Sequence, residues 1–455
     1  MKRVAFHTLG CKLNYAETAA VGKQFLDRGF QSVDLDNGAD VCVINTCSVT
    51  ERADRECRQV IRRALRKSPD AYVIVVGCYA QLEPEEVASI PGVSLVLGAK
   101  EKFDLFRYVD GFQKKTYSRI VTSDIDTVND FGRAFSGGFG DRTRAFLKVQ
   151  DGCDFNCSFC TIPLARGRSR SQSIGETVVQ ARDLVAQGYK EIVLTGVNIG
   201  DYGRKIGSNL VSLLEALVSI DGLERIRISS IEPNLLTDEL ITMLISSERI
   251  CNHFHIPLQS GSDDVLKRMR RRYLTAQYRR VVETIKKKCP EAGVGADVIV
   301  GFPGETDNLF EETYQFLLEL PATYLHVFSY SERPNTPAVN CVRVVEPRVR
   351  FTRNKMLRIL SKKKKHQFYE MMVGRTLPVL FEASVEQGKM LGWTENYVRV
   401  GIETDFALVN QVVPVRIYAV DGEICLGETI GQGQASMAVT TPSVTQISIR
   451  TAEAV

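Results

Sequence analysis

Hydrophobic residues in the first hundred positions fall into short β-branched runs separated by longer mixed segments. Three of the runs are long enough for buried parallel strands: residues 4–9, 41–45 and 72–76. The mixed segments 15–28 and 51–67 have the pattern of helices, so the order is β-α-β-α-β. We therefore expect an open parallel α/β domain over about residues 1–115.

From residue 144 onward, strand-like runs alternate regularly with helical segments. There are six such runs: residues 145–149, 191–194, 225–229, 253–258, 296–300 and 325–330. This alternation predicts a β/α barrel within residues 143–370, and such barrels carry their reacting groups on the loops that follow the strands. Residues 116–142, with Gly137, Gly138 and Gly140, have the composition of a flexible linker between the two domains.

The pattern changes again after Gly374, where the apolar runs become short and alternating. Three of them predict strands: residues 377–382, 397–402 and 413–419. Gly388, Gly392, Gly401 and Gly422 are expected to lie between strands. The pattern predicts a small antiparallel β-barrel at residues 371–437, of a kind that commonly binds oligonucleotides. The tail at 438–455 remains unassigned.

Composition agrees with a globular protein of about three domains. The chain has 455 residues, of which 44% are hydrophobic and 25% charged. No apolar run approaches the roughly 20 residues of a membrane helix, so we expect a cytoplasmic protein without a membrane partner. The 12 cysteines of such a chain are expected to be reduced and available for metal binding or chemistry.

Two basic stretches stand out against a net charge of only +4. They cover residues 267–288 and 343–365, and each contains runs of consecutive lysine or arginine. Such runs are either solvated helix faces or contacts to a polyanion, and the sequence leaves both open.

The most distinctive chemistry lies in the sequence QDGCDFNCSFC at 150–160, where Cys153, Cys157 and Cys160 share one short loop. A 4Fe-4S cluster is normally held by four cysteines, so three leave one iron open for another ligand. The alternatives are a zinc site with a distant fourth ligand, or three unrelated thiols. Zinc sites usually come as C-x2-C pairs with further ligands, and no second pair follows here, so the cluster is favoured.

Three further cysteines follow the three predicted strands of the first domain: Cys11, Cys47 and Cys78. The carboxyl ends of parallel strands meet at one edge of the sheet, so these thiols are expected to converge on a shared metal site. The alternative for each is a packed thiol, and this remains the interpretation for Cys42 and Cys57, which fall inside a strand and a helix.

The C-x3-C-x-Φ-C pattern, with Phe159 before the last cysteine, resembles the radical S-adenosylmethionine (radical SAM) superfamily. In that superfamily, S-adenosylmethionine occupies the open iron. Together with Cys11, Cys47 and Cys78, the chain resembles the methylthiotransferases as far as about residue 437. This resemblance implies a partial, six-stranded (β/α)6 barrel, an auxiliary second 4Fe-4S cluster on the first three cysteines, and an RNA-binding TRAM domain at 371–437.

The resemblance also implies an S-adenosylmethionine pocket on the loops after the barrel strands. The expected cofactor-binding residues are Phe159, Gly196, Asn198, Glu232, Gln259, Ser260 and Gly301. His253 and His255 lie on one face of a strand and are expected to line the barrel as hydrogen-bonded histidines rather than metal ligands.

Two further groups of residues are candidates for contacts to RNA. Arg166, Arg168 and Arg170 follow the cysteine loop and are candidates for phosphate contacts. In the third domain, Trp393, Tyr397 and Arg399 are candidates for stacking and phosphate contacts, with a core role for Trp393 as the alternative.

The resemblance points to methylthiolation of an adenine carbon in tRNA. The stretch 8–14, TLGCKLN, looks most like the branch that acts on N6-threonylcarbamoyladenosine 3′ to the anticodon. The alternatives are isopentenyladenosine in tRNA, a ribosomal-protein aspartate, or a non-catalytic metal-stabilised RNA-binding protein. The implied partners are the anticodon loop of tRNA and a low-potential electron donor such as flavodoxin or ferredoxin, and a monomer is expected.

Overall fold

The computed structural model describes residues 2–137, 143–403 and 408–430. Its first part is a six-stranded parallel sheet in the order β2-β1-β3-β4-β5-β6. The strands are β1 (Arg3–Thr8), β2 (Gln31–Val33), β3 (Val41–Thr46), β4 (Tyr72–Gly77), β5 (Val93–Leu97) and β6 (Arg119–Val121). The helices are α1 (Lys12–Leu26), α2 (Glu51–Lys67), α3 (Cys78–Leu82), α4 (Pro84–Ala88) and α5 (Leu105–Tyr108).

The predicted open parallel α/β fold of this part is confirmed, and the sheet is larger than the three predicted strands. The added strand β6 lies inside the stretch expected to be a linker, of which residues 138–142 lie outside the described part. Local chemistry fixes the start of α2, because the Thr50 hydroxyl accepts a hydrogen bond from the Ala53 amide at 3.1 Å. Acidic residues in its first turn and basic ones in its last complement the helix dipole.

The second part contains the six predicted strands and two short ones. They are β7 (Arg144–Lys148), β8 (Gln150–Asp151), β9 (Arg170–Ser171), β10 (Glu191–Thr195), β11 (Arg225–Ile228), β12 (His253–His255), β13 (Gly293–Val300) and β14 (Tyr324–Ser329). The helices are α6 (Ile162–Arg166), α7 (Ile174–Ala186), α8 (Leu210–Val218), α9 (Asp238–Ser246), α10 (Asp263–Arg268), α11 (Thr275–Lys288), α12 (Asp307–Glu319) and α13 (Pro347–Glu370).

These strands form an incomplete parallel barrel. The order β7-β10-β11 continues into β12-β13-β14 through a parallel bridge between Ile226 and Ile250 and a 3.0 Å hydrogen bond from the Ile231 amide to the His255 carbonyl. Among the described residues, no strand pairing joins β14 back to β7. The predicted partial six-stranded barrel is therefore confirmed.

Alternate residues of the barrel strands face opposite environments, as the pleat requires. Residues such as Leu147, Leu194 and Val298 pack against the helices in the main core. Their neighbours point into the lumen of the barrel, and many of these are charged or aromatic: Lys148, Glu191, Arg227, His255, Asp297 and His326. The open barrel therefore has a polar interior.

The third part is a closed five-stranded barrel in the order β15-β16-β17-β19-β18. Its strands are β15 (Thr376–Glu386), β16 (Lys389–Thr394), β17 (Arg399–Ile402), β18 (Val412–Asp421) and β19 (Ile424–Thr429). The predicted small barrel is confirmed, and its strand pairs are antiparallel except for β17 and β19, which are parallel. The expectation that Gly392 and Gly401 lie between strands is wrong, because they lie within β16 and β17. A side chain at Gly392 would clash with Val379 of β15, so the tight barrel explains this glycine.

The turn between β16 and β17 closes the floor of the parallel barrel. Arg227 pairs with Glu191 at 2.7 Å and donates hydrogen bonds to the Thr394 and Glu395 carbonyls at 3.1 and 2.9 Å.

No helix in the described ranges is both long and apolar enough to cross a membrane. The tail predicted at 438–455 lies outside the described residues.

Candidate cluster and cofactor site

The cysteine loop at 153–160 lies directly after β8 and is fixed by hydrogen bonds from its own barrel. The buried Gln150 amide nitrogen donates to the Gly152 carbonyl at 2.7 Å and to the Ser169 hydroxyl at 3.1 Å. The Cys153 amide donates to the Gly167 carbonyl at 3.0 Å. At the other end, the Ser158 amide and hydroxyl bind the Met269 and Arg268 carbonyls. The loop is therefore held on both sides before any metal binds.

The structure brings Cys153, Cys157 and Cys160 together as three free thiols. Burial, together with the neighbouring Cys157, raises the pKa of Cys153 and of Cys160 to about 12. Arg271 donates a hydrogen bond to the Cys157 sulfur at 3.0 Å. Thiols that resist ionisation alone become ligands when a metal cation offsets the cost of their charge. The donor set therefore fits a three-cysteine iron–sulfur site.

Among the expected cofactor-binding residues, Asn198 has the environment of a ligand contact. Its side chain is buried, yet neither its amide oxygen nor its amide nitrogen has a partner among the described residues. Its backbone amide is held by the Gln150 side chain at 2.8 Å. Buried polar atoms are nearly always paired in proteins, so a bound polar molecule is the natural partner here. This orphaned amide fits S-adenosylmethionine beside the cysteine loop.

The remaining expected contacts already have partners within the protein. Glu232 forms an ion pair with Arg271, and the Ser260 hydroxyl lies 3.2 Å from that of Thr313. The Gly301 amide donates to Glu305 at 2.9 Å. Two others line the same loops: Gln259 with a positive φ of 71°, and Gly196 beside Gln150. Phe159 packs edge-on against Phe302, with ring centroids 6.4 Å apart. Their contacts to the cofactor stay a prediction.

The three strand-end cysteines also converge, as predicted from the parallel sheet. Cys11 follows β1, Cys47 follows β3, and Cys78 follows β4. Burial, together with the neighbouring Cys78 and Cys11, raises the pKa of Cys47 to about 12. Cys42 is fully buried inside β3, and Cys57 is fully buried on α2, where its thiol donates a hydrogen bond to the Cys47 carbonyl at 3.3 Å. Both agree with their interpretation as packed thiols.

Glycine is required beside these cysteines. Gly10 has a φ of 94°, and a Cβ there would lie 2.7 Å from the Cys47 Cβ and 2.8 Å from its sulfur. At Gly77, with a φ of 101°, a Cβ would lie 2.4 Å from Asn45 and from the Thr46 carbonyl. Both positions therefore need the conformational freedom and small size of glycine to bring the thiols together.

The two cysteine sets adjoin each other in space, which the sequence did not predict. The hydroxyl of Thr161, next to Cys160, lies 3.4 Å from the carbonyl of Ser48, next to Cys47. Arg333 fastens the same corner by pairing with Asp54 at 2.7 Å and donating to the Ser48 hydroxyl at 2.8 Å. Both sets therefore lie at one junction between the first sheet and the barrel, which we call the cleft.

A buried group of charges holds the two parts together beside this cleft. Glu17 on α1 is fully buried and binds three cations: Lys102 at 2.6 Å, Lys148 at 3.0 Å and Arg166 at 3.0 Å. Lys148 and Arg166 also pair with Asp151, at 2.7 and 3.0 Å. Burial raises the pKa of Glu17, but the opposing effect of Arg166, Lys102 and Lys148 prevails and holds it well below its usual range.

This arrangement corrects the expectation for the arginines after the cysteine loop. Arg166 is buried in the charge group, so it is not a phosphate contact. Arg170 lies 3.5 Å from Asp151 and donates to the Val128 carbonyl at 3.3 Å, so its side chain also makes contacts within the protein rather than to phosphate. Arg168 alone is exposed, and its contact to phosphate stays a prediction.

One aromatic residue of the third part also has a structural role. Tyr397 is stacked between Trp393, at a ring distance of 4.3 Å, and His253 of the barrel, at 4.4 Å. Arg399 lies over the Trp393 ring and pairs with Glu382 at 2.6 Å. The expectation that Tyr397 stacks on RNA is wrong, because both of its faces are occupied. Trp393 is half-buried, and its role, in RNA contact or in the core, stays a prediction.

Within the lumen, the structure assembles a polar cluster that the sequence showed only in part. The His255 Nε2 lies 2.8 Å from Asp297 Oδ1, and the His326 Nδ1 lies 3.3 Å from the same oxygen. His253 hydrogen-bonds Tyr324 at 2.7 Å. The prediction of hydrogen-bonded histidines is confirmed. The period-2 positions of Asp297 and His326 on neighbouring strands were the signal that could have revealed the rest of the cluster.

Comparison with known families agrees with the geometry. The family description "Radical SAM superfamily" matches residues 147–317, and "Uncharacterized protein family UPF0004" matches residues 3–98. The radical SAM methyltransferase TsrM from Kitasatospora setae shares the fold with a TM-score of 0.52 at 18% identity, over 74% of this chain and 77% of its own. A partial parallel barrel that carries three cysteines after its first strands thus defines a radical SAM enzyme, a class that uses S-adenosylmethionine and a 4Fe-4S cluster.

Curated relatives identify the family to which the chain belongs within this class. The threonylcarbamoyladenosine tRNA methylthiotransferase MtaB of Bacillus subtilis is 42% identical, over 92% of this chain and 94% of its own. MtaB of Aquifex aeolicus is 39% identical, over 88% and 96%. The tRNA-2-methylthio-N(6)-dimethylallyladenosine synthase of Syntrophotalea carbinolica is 33% identical, over 94% and 100%. The chain therefore belongs to the radical SAM methylthiotransferase family.

Proposed function

We propose that this enzyme modifies tRNA by adding a methylthio group to carbon 2 of N6-threonylcarbamoyladenosine, 3′ to the anticodon, with the help of two 4Fe-4S clusters. The observation that carries the proposal is the proximity of the two cysteine sets, since the hydroxyl of Thr161, next to Cys160, lies 3.4 Å from the carbonyl of Ser48, next to Cys47. A base that enters the cleft has both sets beside it.

The donor sets have separate roles in this proposal. Cys153, Cys157 and Cys160 hold the cluster whose open iron binds S-adenosylmethionine, and Cys11, Cys47 and Cys78 hold the auxiliary cluster. When bound, these groups supply a carbon-centred radical able to take hydrogen from an unactivated C–H bond, a methyl group, and sulfur. The protein supplies position and shielding: Asn198 offers its unpaired amide to the cofactor, and Arg271 donates to the Cys157 sulfur.

Binding of tRNA is supported by the basic helix α13, which joins the barrel to the third part. Lys355, Arg358, Lys362 and Lys363 are exposed along it, whereas Lys364 is buried and donates to the Leu318 and Leu320 carbonyls. Exposed cations of this kind bind a phosphate backbone without reading its sequence. The target base must leave its stack to reach the cleft, which costs least in a single-stranded loop.

The threonylcarbamoyl substrate is supported by the sequence around Cys11 and by the printed activities of the relatives from Bacillus and Aquifex. The relative that acts on dimethylallyladenosine makes that base the main alternative. A ribosomal-protein aspartate and a non-catalytic RNA-binding role are further alternatives. We also propose a cytoplasmic monomer that receives electrons from a low-potential donor such as flavodoxin or ferredoxin, in keeping with its free cysteines.

Nucleoside mass spectrometry of tRNA tests the substrate. A strain that lacks this protein and any second enzyme of the branch should lose the methylthio form of threonylcarbamoyladenosine and retain the unmodified nucleoside. Persistence of the methylthio form would contradict the assignment. Loss of methylthio-isopentenyladenosine instead would support the alternative branch.

Anaerobic reconstitution tests the two clusters. The wild-type protein should bind about eight irons and form 5′-deoxyadenosine on reduction. Replacing Cys11, Cys47 and Cys78 together by Ala should halve the iron and abolish methylthiolation but preserve cleavage of S-adenosylmethionine. The matched control Cys42→Ala, at a buried thiol inside β3, should keep all its iron. Full iron in the triple variant would refute the second cluster, and absence of 5′-deoxyadenosine from the wild type would favour a non-catalytic role.

A further inference from the structure

The barrel lumen carries a polar cluster that neither cysteine set uses. Asp297 Oδ1 lies 2.8 Å from His255 Nε2 and 3.3 Å from His326 Nδ1, so one carboxylate oxygen orients both rings. The second nitrogen of each ring, His255 Nδ1 and His326 Nε2, has no hydrogen-bond partner among the described residues. The His326 side chain is 37% exposed and that of Asp297 is 23% exposed. The cluster is therefore reachable from solvent and able to bind a ligand.

Helix α1 of the first part brings a cation to the same lumen. Tyr15 packs edge-on against Phe146 on the inner face of β7 at 5.4 Å, and Ala16 belongs to the same packed group. Lys12 precedes Tyr15 by three residues and therefore lies on the barrel-facing side of the helix. No residue in the described ranges forms an ion pair with Lys12. Burial raises the pKa of Tyr397 on the lumen floor, but Lys12 and the nearby arginines prevail and lower it. Burial and Arg227 lower the pKa of His253, and Lys12 adds to their effect.

Lys12 also directly follows Cys11, so this unpaired cation lies one residue from the auxiliary cysteine set. A base held in the cleft beside Cys11 has Lys12 within reach of its substituents. The lumen therefore offers one cation for an anionic group, and two ring nitrogens that can accept from or donate to hydroxyl and amide groups.

These polar groups favour binding of an amino-acid substituent and disfavour binding of an isoprenoid. An amino acid joined to adenine N6 through a carbamoyl link carries a carboxylate, amide groups and a hydroxyl. An isoprenoid carries none of these, so it would bury Lys12 and the free ring nitrogens of His255 and His326 without partners. Each polar group left unpaired in this way weakens binding roughly 10- to 100-fold.

We propose that Lys12, His255, Asp297 and His326 form the pocket that recognises an anionic, amino-acid-bearing N6 substituent on the target adenine, with Lys12 as the residue that binds its carboxylate. This inference rests on the proposed function, which it deepens by assigning the residues that select the substrate. A divalent cation held by His255, Asp297 and His326 is the competing use of the cluster, since their ligand atoms lie within 4.8 Å of one another.

The test uses the reconstituted full-length protein and four anticodon stem-loop RNAs in fluorescence anisotropy. They carry threonylcarbamoyladenosine, its methyl ester, isopentenyladenosine or unmodified adenosine at the target position. The wild-type protein should bind the acid at least about 10-fold more tightly than the ester, because the ester removes only the charge that faces Lys12. Equal affinity of the wild type for acid and ester would overturn the proposal without any variant.

Variants assign the effect to residues. Lys12→Met should reduce the acid-to-ester preference to about one, and Lys12→Arg should restore part of it. Lys23→Met is the matched control, since Lys23 lies on the same helix but is exposed, and it should keep the full preference. His326→Gln should weaken binding of acid and ester alike. A Lys12→Met protein that retains the preference would overturn the role of Lys12.

Further results separate this inference from the proposed function. A wild-type enzyme that methylthiolates isopentenyladenosine RNA and not threonylcarbamoyladenosine RNA would refute the proposed substrate. An enzyme that modifies threonylcarbamoyladenosine RNA but ignores the ester change would refute the pocket alone. Metal analysis of the wild type and of Asp297→Asn tests the competing use of the cluster. A stoichiometric metal other than iron that is present in the wild type and lost in Asp297→Asn would show a metal site instead of the proposed pocket.

Discussion

Replacing Glu17 by Gln should separate the first sheet from the barrel. Glu17 is fully buried on α1 and binds Lys102, Lys148 and Arg166 at 2.6 to 3.0 Å. Lys102 belongs to the first part of the chain, and the other two cations belong to the barrel. The substitution keeps the shape of the side chain but leaves three buried cations with only Asp151 to offset them.

The expected cost follows from desolvation. Breaking a buried ion group by removing one partner typically costs about 3–5 kcal/mol, because the remaining charges stay out of water without compensation. At roughly 2–4 °C per kcal/mol for parts of this size, the melting temperature should fall by about 6–20 °C. Asp27→Asn is the control on the same helix. Its pair with Lys23 spans 3.9 Å and is exposed, so its loss should cost less than about 1 kcal/mol.

Acid should reproduce part of the effect in the wild type. The three cations hold the pKa of Glu17 below its usual range despite its burial, so its contribution is fully present above the unfolded pKa of about 4.3. The contribution is lost as the pH falls towards the folded pKa. The variant Glu17→Gln lacks this group, so its stability should fall less steeply on acidification.

Differential scanning calorimetry gives the melting temperatures, and hydrogen exchange locates the change. Amides of α1 (Lys12–Leu26) should lose protection in Glu17→Gln, whereas those of the third-part barrel should not. A melting temperature within about 2 °C of the wild type, with α1 still protected, would refute the view that this charge group holds the two parts together.

Two further predictions concern the cleft and the RNA surface. Gly10→Ala should reduce bound iron to about half, because the new Cβ would lie 2.7 Å from that of Cys47. The control Gly29→Ala should keep its iron, since nothing lies within 4 Å of that position. Equal iron in both variants would contradict the packing argument. Replacing Arg358 and Lys363 by Gln should lower the slope of log affinity against log salt by about 1.4–1.8 if both contact tRNA phosphates. An unchanged slope would place the RNA elsewhere.

Much of the fold was predictable because its signals are local. The alternation of apolar runs and helices predicted the parallel sheet, the six barrel strands and the small closed barrel. The missed strands include the short edge strands β2 and β6, the buried interior strand β5, and the glycine-containing strands β16 and β19. Three-residue strands carry little periodicity, and Gly392 has no side chain to reveal a strand.

The sequence by itself determined which cysteines form sets. Cys153, Cys157 and Cys160 share one loop, and Cys11, Cys47 and Cys78 follow consecutive parallel strands, so their convergence follows from spacing and from the rule that such strand ends share an edge. Both inferences need only the local pattern of the chain, which is why the structure reproduces the convergence without adjustment.

Only the tertiary structure decided how these sets meet and what surrounds them. The contact between Thr161 and Ser48, the burial of Arg166 against Glu17, and the approach of Lys12 to the barrel lumen all join residues that are far apart along the chain. The sequence does not distinguish an arginine that binds phosphate from one that binds a buried carboxylate. The role of the arginine depends on which surface packs against it, and that packing is set by long-range contacts with no period in the sequence.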